Sequence, residues 1–325
     1  MILTNRKPSE ELLYYRALSK RVELTKSQQL KLKRLESGYE GECTYDEVYD
    51  NVISHLPVFR DVYLEIEGSH VQCDALIVHD NGYLLHEIKN YNGEFLYNGN
   101  QWLLRGNEVS EDPIIQLERT RKKFIKLKYA NNVHFNIDGK VVFTHIDFSL
   151  ELIDTPPTDK IILRNQLKRH LSTLKDLTYN DQSLNRVVLI KNCIVANPYH
   201  NEIANMNELK KGVYCRYCSS FNMQKLHFHF ECNECRSRDT VHTIVLQAIS
   251  DHKSLFNNKK ITKKEIHELL DGLVTTQTIY NILKLYCTKH DKGLRTKYQF
   301  KFHDFNEAQL SVSKQFRYKD HATIK

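Results

Sequence analysis

Two apolar segments joined by a short polar turn constrain this fold more than any other feature of the sequence. Residues 74–80 and 83–89 are rich in Leu, Ile and Val, and Asn81-Gly82 lies between them. Asn-Gly between two such runs is a strong signal of a two-residue β-hairpin turn. Both faces of this hairpin would be apolar, so both need a covering layer. The segment therefore predicts an α/β domain, in which helices flank a sheet.

Three charged residues interrupt the apolar pattern of the hairpin. If Asp80 pairs with Tyr83 across the turn, Asp74 faces Lys89. Alternation along the strands then puts Asp74, Glu87 and Lys89 on one face of the sheet. The two carboxylates become diagonal neighbours, about 7–8 Å apart at the backbone. At that spacing they can converge on one hard cation.

This set of charges suits phosphodiester chemistry. Mg²⁺ binds one or two carboxylates and completes its shell with water and substrate oxygens. It can lower the pKa of a bound water and neutralise phosphate charge, and a neighbouring lysine can orient that water or stabilise the developing anion. A simpler interpretation stays open: Asp74 and Lys89 form a cross-strand ion pair, and Glu87 is solvated at the end of its strand.

The residues around the hairpin resemble a known family. Asp74, a spacer and then Glu87-Ile88-Lys89 are similar to the acidic motif of the restriction-endonuclease-like nucleases. Further residues extend the resemblance, over about residues 36–145, to the nuclease-related domain (NERD) family: Gly41-Glu42, Asn90, Gly93, Trp102, Asp112-Pro113 and Gln116.

The resemblance implies a restriction-endonuclease-like mixed sheet flanked by helices, and a metal-dependent nuclease activity. Asp74 and Glu87 would bind Mg²⁺ (or Mn²⁺) together with the backbone carbonyl of Ile88. Lys89 would be the catalytic lysine.

Two flanking residues take roles by the same resemblance. Glu42 matches an acidic position beside the metal, and Gln116 matches a glutamine that supports the site or contacts the DNA backbone. The chain departs from the family at Cys73, where a hydrophobic residue is common. Residues 146–205 carry no motif that can be placed.

Two Cys-x-x-Cys pairs predict a zinc site. Cys215 and Cys218 are followed, after thirteen residues, by Cys232 and Cys235. Four thiolates suit tetrahedral Zn²⁺ with no open position for catalysis, and the segment resembles a zinc ribbon. A dithiol redox pair is the alternative, although it would need only one Cys-x-x-Cys. Whether such a ribbon binds nucleic acid or protein, or only holds the fold, stays open.

The residues after the cysteines predict a helical module. Helices are expected over 240–252 and 263–270, and a third begins near Thr275 before an alternating strand at 296–302. This order resembles a winged helix-turn-helix, and an ordinary helical bundle fits the pattern as well. The exposed side of the third helix would present residues able to contact bases or phosphates: Gln277, Thr278, Asn281 and Lys284.

The pattern divides the chain into an N-terminal helical segment, a nuclease-related domain, a zinc-ribbon-like module with four cysteines and a C-terminal helical module: 1–37, 38–205, 206–239 and 240–325. Residues 8–36 read as helical, and a separate helix is expected to begin at Gly41. The apolar run 186–190 is expected to form a strand.

Composition limits the class of protein. Of 325 residues 41% are hydrophobic and 27% charged, which excludes wholesale disorder. No apolar run reaches the ~20 residues of a bilayer span, and the N-terminus lacks the apolar core of a signal peptide. A cytoplasmic protein without a membrane partner is therefore expected, and in a reducing compartment paired thiols indicate metal ligands. The net charge of +7 permits nucleic-acid binding without requiring it.

Three functions fit these observations. The first is a Mg²⁺-dependent deoxyribonuclease whose zinc ribbon and C-terminal module help to bind nucleic acid, with DNA the expected partner. The second is a non-catalytic nucleic-acid-binding regulatory protein that retains the nuclease fold, and the third is a protein-binding scaffold. The intact set of Asp74, Glu87 and Lys89 favours the first over the second. The oligomeric state, the choice between DNA and RNA, and endo- or exonuclease action stay open.

Overall fold

The computed structural model describes residues 1–98, 101–109, 111–153, 158–290, 296–311 and 318–322. Its helices are α1 (Glu10–Arg21), α2 (Lys26–Val52), α3 (Pro113–Ala130), α4 (Arg164–Thr173), α5 (Asp181–Cys193), α6 (Val241–Leu255), α7 (Lys263–Leu269), α8 (Thr276–Tyr286) and α9 (Phe305–Ser311). Its strands are β1 (Val58–Ile66), β2 (Ser69–His79), β3 (Gly82–Lys89), β4 (Gly93–Tyr97), β5 (Trp102–Leu104), β6 (Asn107–Glu108), β7 (Asn136–Phe143), β8 (Phe148–Leu152), β9 (Ile161–Ile162), β10 (Ile194–Val195), β11 (Met223–Lys225), β12 (His229–Cys232), β13 (Arg238–Thr240), β14 (Cys287–His290) and β15 (Lys297–Phe300). Within these ranges, no helix combines the length and the apolar character needed to cross a bilayer.

The chain forms two compact units, and neither is a single stretch of sequence. The first comprises Met1–Lys7 and Arg34–Tyr199, and the second comprises Pro8–Lys33 and His200–Lys325. Helix α2 therefore has residues in both units. The predicted boundary between residues 37 and 38 falls inside this helix.

Helix α2 runs unbroken through two glycines, so the expectation of a separate helix from Gly41 is wrong. A glycine inside a helix costs about 0.5–1 kcal/mol relative to alanine. Gly41 is nevertheless required by packing, since a Cβ there would lie 2.4 Å from the Cβ of Asn90 and 2.6 Å from Oγ1 of Thr144. Gly38 has open space where its Cβ would be. Only the second glycine is therefore explained by a close approach.

The first unit is built on a mixed six-stranded sheet in the order β10-β1-β2-β3-β7-β9. The pairs from β10 to β3 are antiparallel, whereas β7 is parallel to both β3 and β9. A second mixed sheet has the order β6-β5-β4-β8. The predicted mixed α/β architecture is confirmed.

Apolar layers cover both faces of the central hairpin, as predicted. On one face, Leu76 and Leu85 belong to a buried cluster that includes Phe124 of α3. On the other, Ile77 belongs to a buried cluster with Tyr45 of α2 and with residues of α4. The strands at the centre of the unit are thus shielded from water on both sides, and a charged side chain placed there is also buried.

The hairpin pairs in a different register from the one predicted. His79 pairs with Gly82, so the two turn residues are Asp80 and Asn81, and each β2 residue faces a β3 residue two positions earlier than expected. Gly82 has φ +152°, and a Cβ on it would lie 2.0 Å from the carbonyl oxygen of Asn136 in β7. The close approach of β7, and not the turn itself, accounts for the glycine.

The corrected register brings the two carboxylates closer together. The last ladder pair is Ala75 with His86, and the next positions outward are Asp74 and Glu87. These residues are direct neighbours across the strands, not diagonal ones, and Asp74 does not face Lys89. The predicted face is right, because a shift of two residues leaves the alternation unchanged.

Residues 186–190 lie in helix α5, so the predicted strand is wrong. Asn180 and Ser183 form a reciprocal capping box, in which each side chain accepts from the backbone N–H of the other, and this fixes the start of the helix. Val187 and Ile190 are buried at helical spacing. The apolar run thus serves one helix face, and packing overrides the strand preference of β-branched residues.

The second unit contains a small antiparallel sheet and a helical region. Strands β11, β12 and β13 form the sheet, and of the paired cysteines Cys232 lies at the end of β12 while the others lie outside the strands. In the C-terminal region, α6, α7 and α8 precede the β14–β15 hairpin, and Ile261 forms a bridge with Tyr298 of β15. The predicted C-terminal helical region is confirmed. Residues 291–295 lie outside the described residues.

Candidate active site

The predicted site residues lie just beyond the last ladder pair of β2 and β3. Asp74 belongs to β2, and Glu87 and Lys89 belong to β3. Asp74 is 8% exposed and Glu87 is 5% exposed. The two strands therefore hold two nearly buried carboxylates side by side.

The Asp74 side chain joins the two strands beyond the last ladder pair. Its Oδ2 accepts a hydrogen bond of 2.8 Å from the backbone N–H of Ile88. This bond fixes the carboxylate against the β3 backbone at the residue whose carbonyl the family resemblance assigns to the metal.

Lys89 connects the acidic pair to helix α3. Its Nζ lies 3.0 Å from Oε1 of Glu87 and donates a hydrogen bond of 2.7 Å to Oε1 of Gln116. Gln116 is placed in the first turn of α3, where Asp112 caps the helix by accepting from two backbone N–H groups. The lysine thus pairs with Glu87, whereas the alternative sequence interpretation paired it with Asp74.

Burial and crowding of charge shift the pKa values of this pair. Burial, followed by the negative charge of Asp74, raises the pKa of Glu87 to about 8. Burial alone would lower the pKa of Lys89, but the charges of Glu87 and Asp74 outweigh it and raise that pKa above its ordinary range. The ammonium group therefore stays charged at neutral pH in this surrounding.

Glu42 of α2 is linked to the backbone of Asp74 through Arg6, a residue that the sequence patterns do not single out. The Arg6 guanidinium donates 2.7 Å hydrogen bonds to Oε2 of Glu42 and to Oδ2 of Asp46. A further Arg6 nitrogen donates to the backbone carbonyl of Asp74 at 2.8 Å. No local spacing signals this contact, because Arg6 and Glu42 are 36 residues apart in sequence.

The pKa of Glu42 is also raised, to about 8, by burial and then by the charge of Asp74, while Arg6 opposes the rise. Negative charge is therefore crowded in a region with little water, and a divalent cation would relieve it. The oxygen donors of Asp74, Glu87 and the Ile88 carbonyl are of the hard type that Mg²⁺ and Mn²⁺ prefer. The donor set fits such an ion.

The four paired cysteines meet in the second unit. Their sulfur atoms all lie within 4.8 Å of one another, and the four thiols could hold a metal ion. Sγ of Cys215 is 3.5 Å from Sγ of Cys235, and Sγ of Cys218 is 3.5 Å from Sγ of Cys232. These separations are too long for disulfide bonds.

The turns at residues 215–219 and 232–236, here called the cysteine knuckles, share one backbone conformation. The carbonyls of Cys215 and Cys232 each accept at 2.9 Å from the N–H four residues on, which belongs to Ser219 and Arg236 respectively. Those two residues have φ values of 62° and 61°, in the left-handed region that favours glycine. Two copies of the same tight turn thus present the sulfur atoms to each other.

Three of the four residues predicted on the third helix face solvent. Gln277, Asn281 and Lys284 are exposed on α8, whereas Thr278 is half-buried. The ammonium groups of Lys284 and of a lysine in α7 lie 4.6 and 5.2 Å from the ring centroid of Tyr280. This face of the helix combines amides, cations and an aromatic ring.

The cationic side chains considered on helix α3 form two groups: some are bonded within the first unit, and others are exposed to solvent. Arg121 and Lys123 bond to a carboxylate and a backbone carbonyl of the first unit. Arg119, Lys122 and Lys126 are exposed and follow one another at intervals of three and four residues, which places them on one side of the helix. This stripe begins one turn after Gln116 and leads away from the acidic site.

Comparisons with known proteins agree with the domain suggested by the sequence. The family model of the nuclease-related domain matches residues 37–144, which confirms the resemblance for this part of the chain. No curated protein sequence matches the chain. A solved structure, that of protein VC1899 from Vibrio cholerae, matches at 14% identity over 52% of this chain and 56% of that chain, with a TM-score of 0.25. The chain thus spans about half of that protein.

Proposed function

We propose that the first unit is a divalent-metal-dependent nuclease that hydrolyses DNA phosphodiester bonds, and that the zinc ribbon and the C-terminal module assist nucleic-acid binding. The observation that carries this proposal is the contact of Lys89 with both Glu87 and Gln116, next to Asp74. These residues come from three elements within the segment that matches the nuclease-related domain.

Asp74 and Glu87, with the carbonyl of Ile88, would hold Mg²⁺ or Mn²⁺. When bound, the ion supplies an activated water and neutralises charge on the phosphate. Because the pKa of Glu87 is about 8, its carboxyl must lose a proton before it can act as a ligand. The hydrogen bond from the Ile88 N–H keeps the Asp74 carboxylate oriented in advance. The carboxylate therefore does not have to reorient in each reaction cycle.

Lys89 acts as a cation in this proposal and not as a general base. A general base needs a pKa near the working pH, and the surrounding carboxylates raise the pKa of Lys89 above its ordinary range. A fixed ammonium group can orient the attacking water and stabilise the negative charge that develops on the phosphate. Gln116 supports this role because it holds Nζ by a second contact, in addition to the one with Glu87.

The exposed stripe of Arg119, Lys122 and Lys126 gives the substrate a path to the site. Each cation can neutralise one backbone phosphate. Because α3 rises about 1.5 Å per residue, the stripe starts within one turn of Gln116 and extends along the helix. The proposed partner is therefore a nucleic acid whose backbone lies on α3.

The second unit would contribute binding and stability. We propose Zn²⁺ at the four cysteines, because four thiolates form a closed tetrahedral site that has a structural role. The exposed amides and lysine of α8 are the residue types that contact base edges and phosphates. None of the eight cysteines forms a disulfide bond, which agrees with a reducing compartment, and we place the protein in the cytoplasm.

Cleavage of DNA by matched variants tests this proposal. The parent protein should cleave DNA with Mg²⁺ or Mn²⁺, and Lys89→Met should lose about 10²–10³-fold in rate. Lys168→Met, in which an exposed lysine of α4 is removed, should cleave like the parent. Equal cleavage by Lys89→Met would contradict the assignment. Salt-sensitive DNA binding without cleavage by the parent would favour the non-catalytic regulatory protein instead.

A further inference from the structure

The segment Met1–Lys7, here called the N-terminal strap, belongs to the same compact unit as the acidic site. It lies outside residues 37–144, which match the nuclease-related domain. The backbone N–H of Leu3 donates to the carbonyl of Val58 at 2.9 Å. Oγ1 of Thr4 donates to the carbonyl of Arg60 at 3.0 Å and accepts from its N–H at 2.6 Å. The strap is thus hydrogen-bonded along the start of β1. These bonds hold the backbone that leads to Arg6.

The side chain of Arg6 is almost completely buried, with 3% of it exposed. Its donors serve two elements at once, because Glu42 and Asp46 belong to α2 and the accepting carbonyl of Asp74 belongs to β2. The planar guanidinium group presents five N–H donors in a fixed fork, whereas an ammonium group presents three donors from one point. The contacts therefore make use of the shape of arginine as well as its charge.

Arg6 bonds to the side chains of two acidic residues but only to the backbone of a third. It pairs with the carboxylates of Glu42 and Asp46, but at Asp74 it bonds only the backbone carbonyl. The carboxylate of Asp74 keeps its place beside Glu87. The single arginine charge thus partly compensates Glu42 and Asp46, while its bond at Asp74 is to the backbone, so the carboxylates of Asp74 and Glu87 remain for another cation.

We propose that Arg6 is a positioning residue of the acidic site: it fixes Glu42 and the β2 backbone at Asp74 in one frame, and as an internal counter-ion it directs a divalent cation to Asp74 and Glu87. The inference rests on the proposed function for the identity of the bound cation. Because Arg6 and the divalent ion carry charges of the same sign, Arg6 should weaken ion binding while it improves the geometry for cleavage.

Two variants of Arg6 and two measurements test this proposal on the full chain. Mn²⁺ affinity is measured by titration calorimetry without nucleic acid, and DNA cleavage is measured separately. Arg6→Met should bind Mn²⁺ several-fold more tightly, because a nearby positive charge is gone. It should cleave about 10²-fold more slowly, as expected when reacting groups are misplaced. Arg6→Lys keeps the charge, so it should bind Mn²⁺ like the parent and yet cleave more slowly.

Arg60→Met is the matched control. Arg60 is a buried arginine whose ion pairs are with Asp46, at 3.2 Å, and with Asp50, at 2.5 Å. Its removal should destabilise the unit without changing Mn²⁺ affinity. A merely structural role for Arg6 would make Mn²⁺ binding and cleavage fall together, in step with the folded fraction.

Several results would overturn the inference. These are unchanged Mn²⁺ affinity in Arg6→Met, a parallel loss of affinity and cleavage in that variant, and a parent protein that binds no Mn²⁺. If Arg6→Met does not fold, parent-like cleavage by Arg6→Lys also contradicts it. A parent that binds Mn²⁺ without cleaving DNA rejects the proposed nuclease but not the counter-ion role, because the calorimetric comparison still decides the latter.

Discussion

At the scale of single residues, the electrostatics of the acidic site depend on which carboxylates have a cationic side chain beside them. Lys89 compensates Glu87, and Arg6 compensates Glu42 and Asp46. Burial and the charge of Asp74 nevertheless leave the pKa values of Glu42 and Glu87 at about 8. The site therefore combines fixed geometry with carboxyl groups that ionise only at a cost, and a bound cation would offset that cost.

The raised carboxyl pKa values predict how stability depends on pH. The folded chain holds protons on Glu42 and Glu87 that the unfolded chain releases near its ordinary carboxyl pKa, so the metal-free protein should lose stability as pH rises towards and through about 8. Urea unfolding with a chelator, compared at about pH 6 and about pH 9, measures this change.

The matched variant for that prediction is Glu87→Gln, which removes one of the two titrating groups. Its stability should vary less with pH than that of the parent. Added Mn²⁺ should stabilise the parent most at the higher pH, where the ligand carboxyls are ionised. A parent whose stability increases over this range would contradict the electrostatic description of the site.

The left-handed residues of the cysteine knuckles predict stabilising substitutions. Ser219 and Arg236 adopt positive φ without being glycine, which costs on the order of 1 kcal/mol or more. Ser219→Gly and Arg236→Gly should each raise the free energy of unfolding by up to about 1 kcal/mol, part of the gain being offset by a more flexible unfolded chain. Ser220→Gly, at the neighbouring residue, should lower it. Thermal unfolding of the metal-loaded protein compares the three variants.

At the scale of elements, α2 and α3 bring side chains to the strands from two directions. Helix α2 carries Glu42, and Asn90 binds this helix by donating from Nδ2 to the carbonyl of Ser37 at 2.8 Å. Helix α3 carries Gln116 in its first turn. The sheet supplies the carboxylates and Lys89, and the two helices supply the groups around them.

The two glycines of α2 predict opposite responses to the same change. Gly38→Ala should raise the free energy of unfolding by about 0.5–1 kcal/mol, because its Cβ meets open space inside a helix. Gly41→Ala should lower it by about 1–3 kcal/mol, because its Cβ collides with Asn90 and Thr144. Urea unfolding of both variants tests this contrast. Equal effects would show that the close packing of α2 on Asn90 is unimportant.

The stripe on α3 predicts the salt dependence of DNA binding. Replacing Arg119, Lys122 and Lys126 by Gln should reduce the slope of log affinity against log salt by up to about 2.7, at about 0.9 for each phosphate that is no longer neutralised. Replacing Arg121 and Lys123, whose donors are used within the first unit, should change the slope less. Binding titrations at several salt concentrations provide the slopes. An unchanged slope in the triple variant would place the substrate elsewhere.

The central strands show what local pattern can and cannot predict. Alternation gave the correct face for Asp74, Glu87 and Lys89, because a face depends only on the period of the strand. The register was wrong because Gly82 is required by the approach of β7, a contact distant in sequence. The strand expected at 186–190 was wrong for a different reason: a capping box begins α5 before the apolar run, and packing buries Val187 and Ile190 at helical spacing.

At the scale of the whole molecule, both units draw on distant parts of the chain. In the second unit, Arg21 of α1 forms a buried ion pair with Asp251 of α6 at 3.3 Å, and Tyr214 donates to the same carboxylate at 3.1 Å. The hairpin pattern and the family resemblance predict the acidic residues, but Arg6 and the pairing of α1 with α6 depend on tertiary contacts that no motif records. The four-segment division stays a prediction, which limited proteolysis would test.

The four cysteines predict a metal requirement for the second unit. Purified protein should contain about one Zn²⁺ per chain, and Cys232→Ser or a strong chelator should remove it and unfold the ribbon. Metal analysis with near-ultraviolet circular dichroism measures both effects. Cys193→Ser, in which a thiol of α5 is replaced, should retain the metal. A metal-free protein whose ribbon stays folded would exclude a structural role.

Each unit consists of two separate segments of the chain. The segments of one unit therefore leave the ribosome at different times during synthesis. Met1–Lys7 emerges long before the strand residues of the first unit that it bonds, and Pro8–Lys33 emerges before any of His200–Lys325. A nascent chain that stops near residue 199 could complete the first unit but would leave α1 without its partners. Translation must therefore continue past the first unit before the amphipathic surface of α1 is covered, and chains that end early should be preferred substrates for chaperones and proteases.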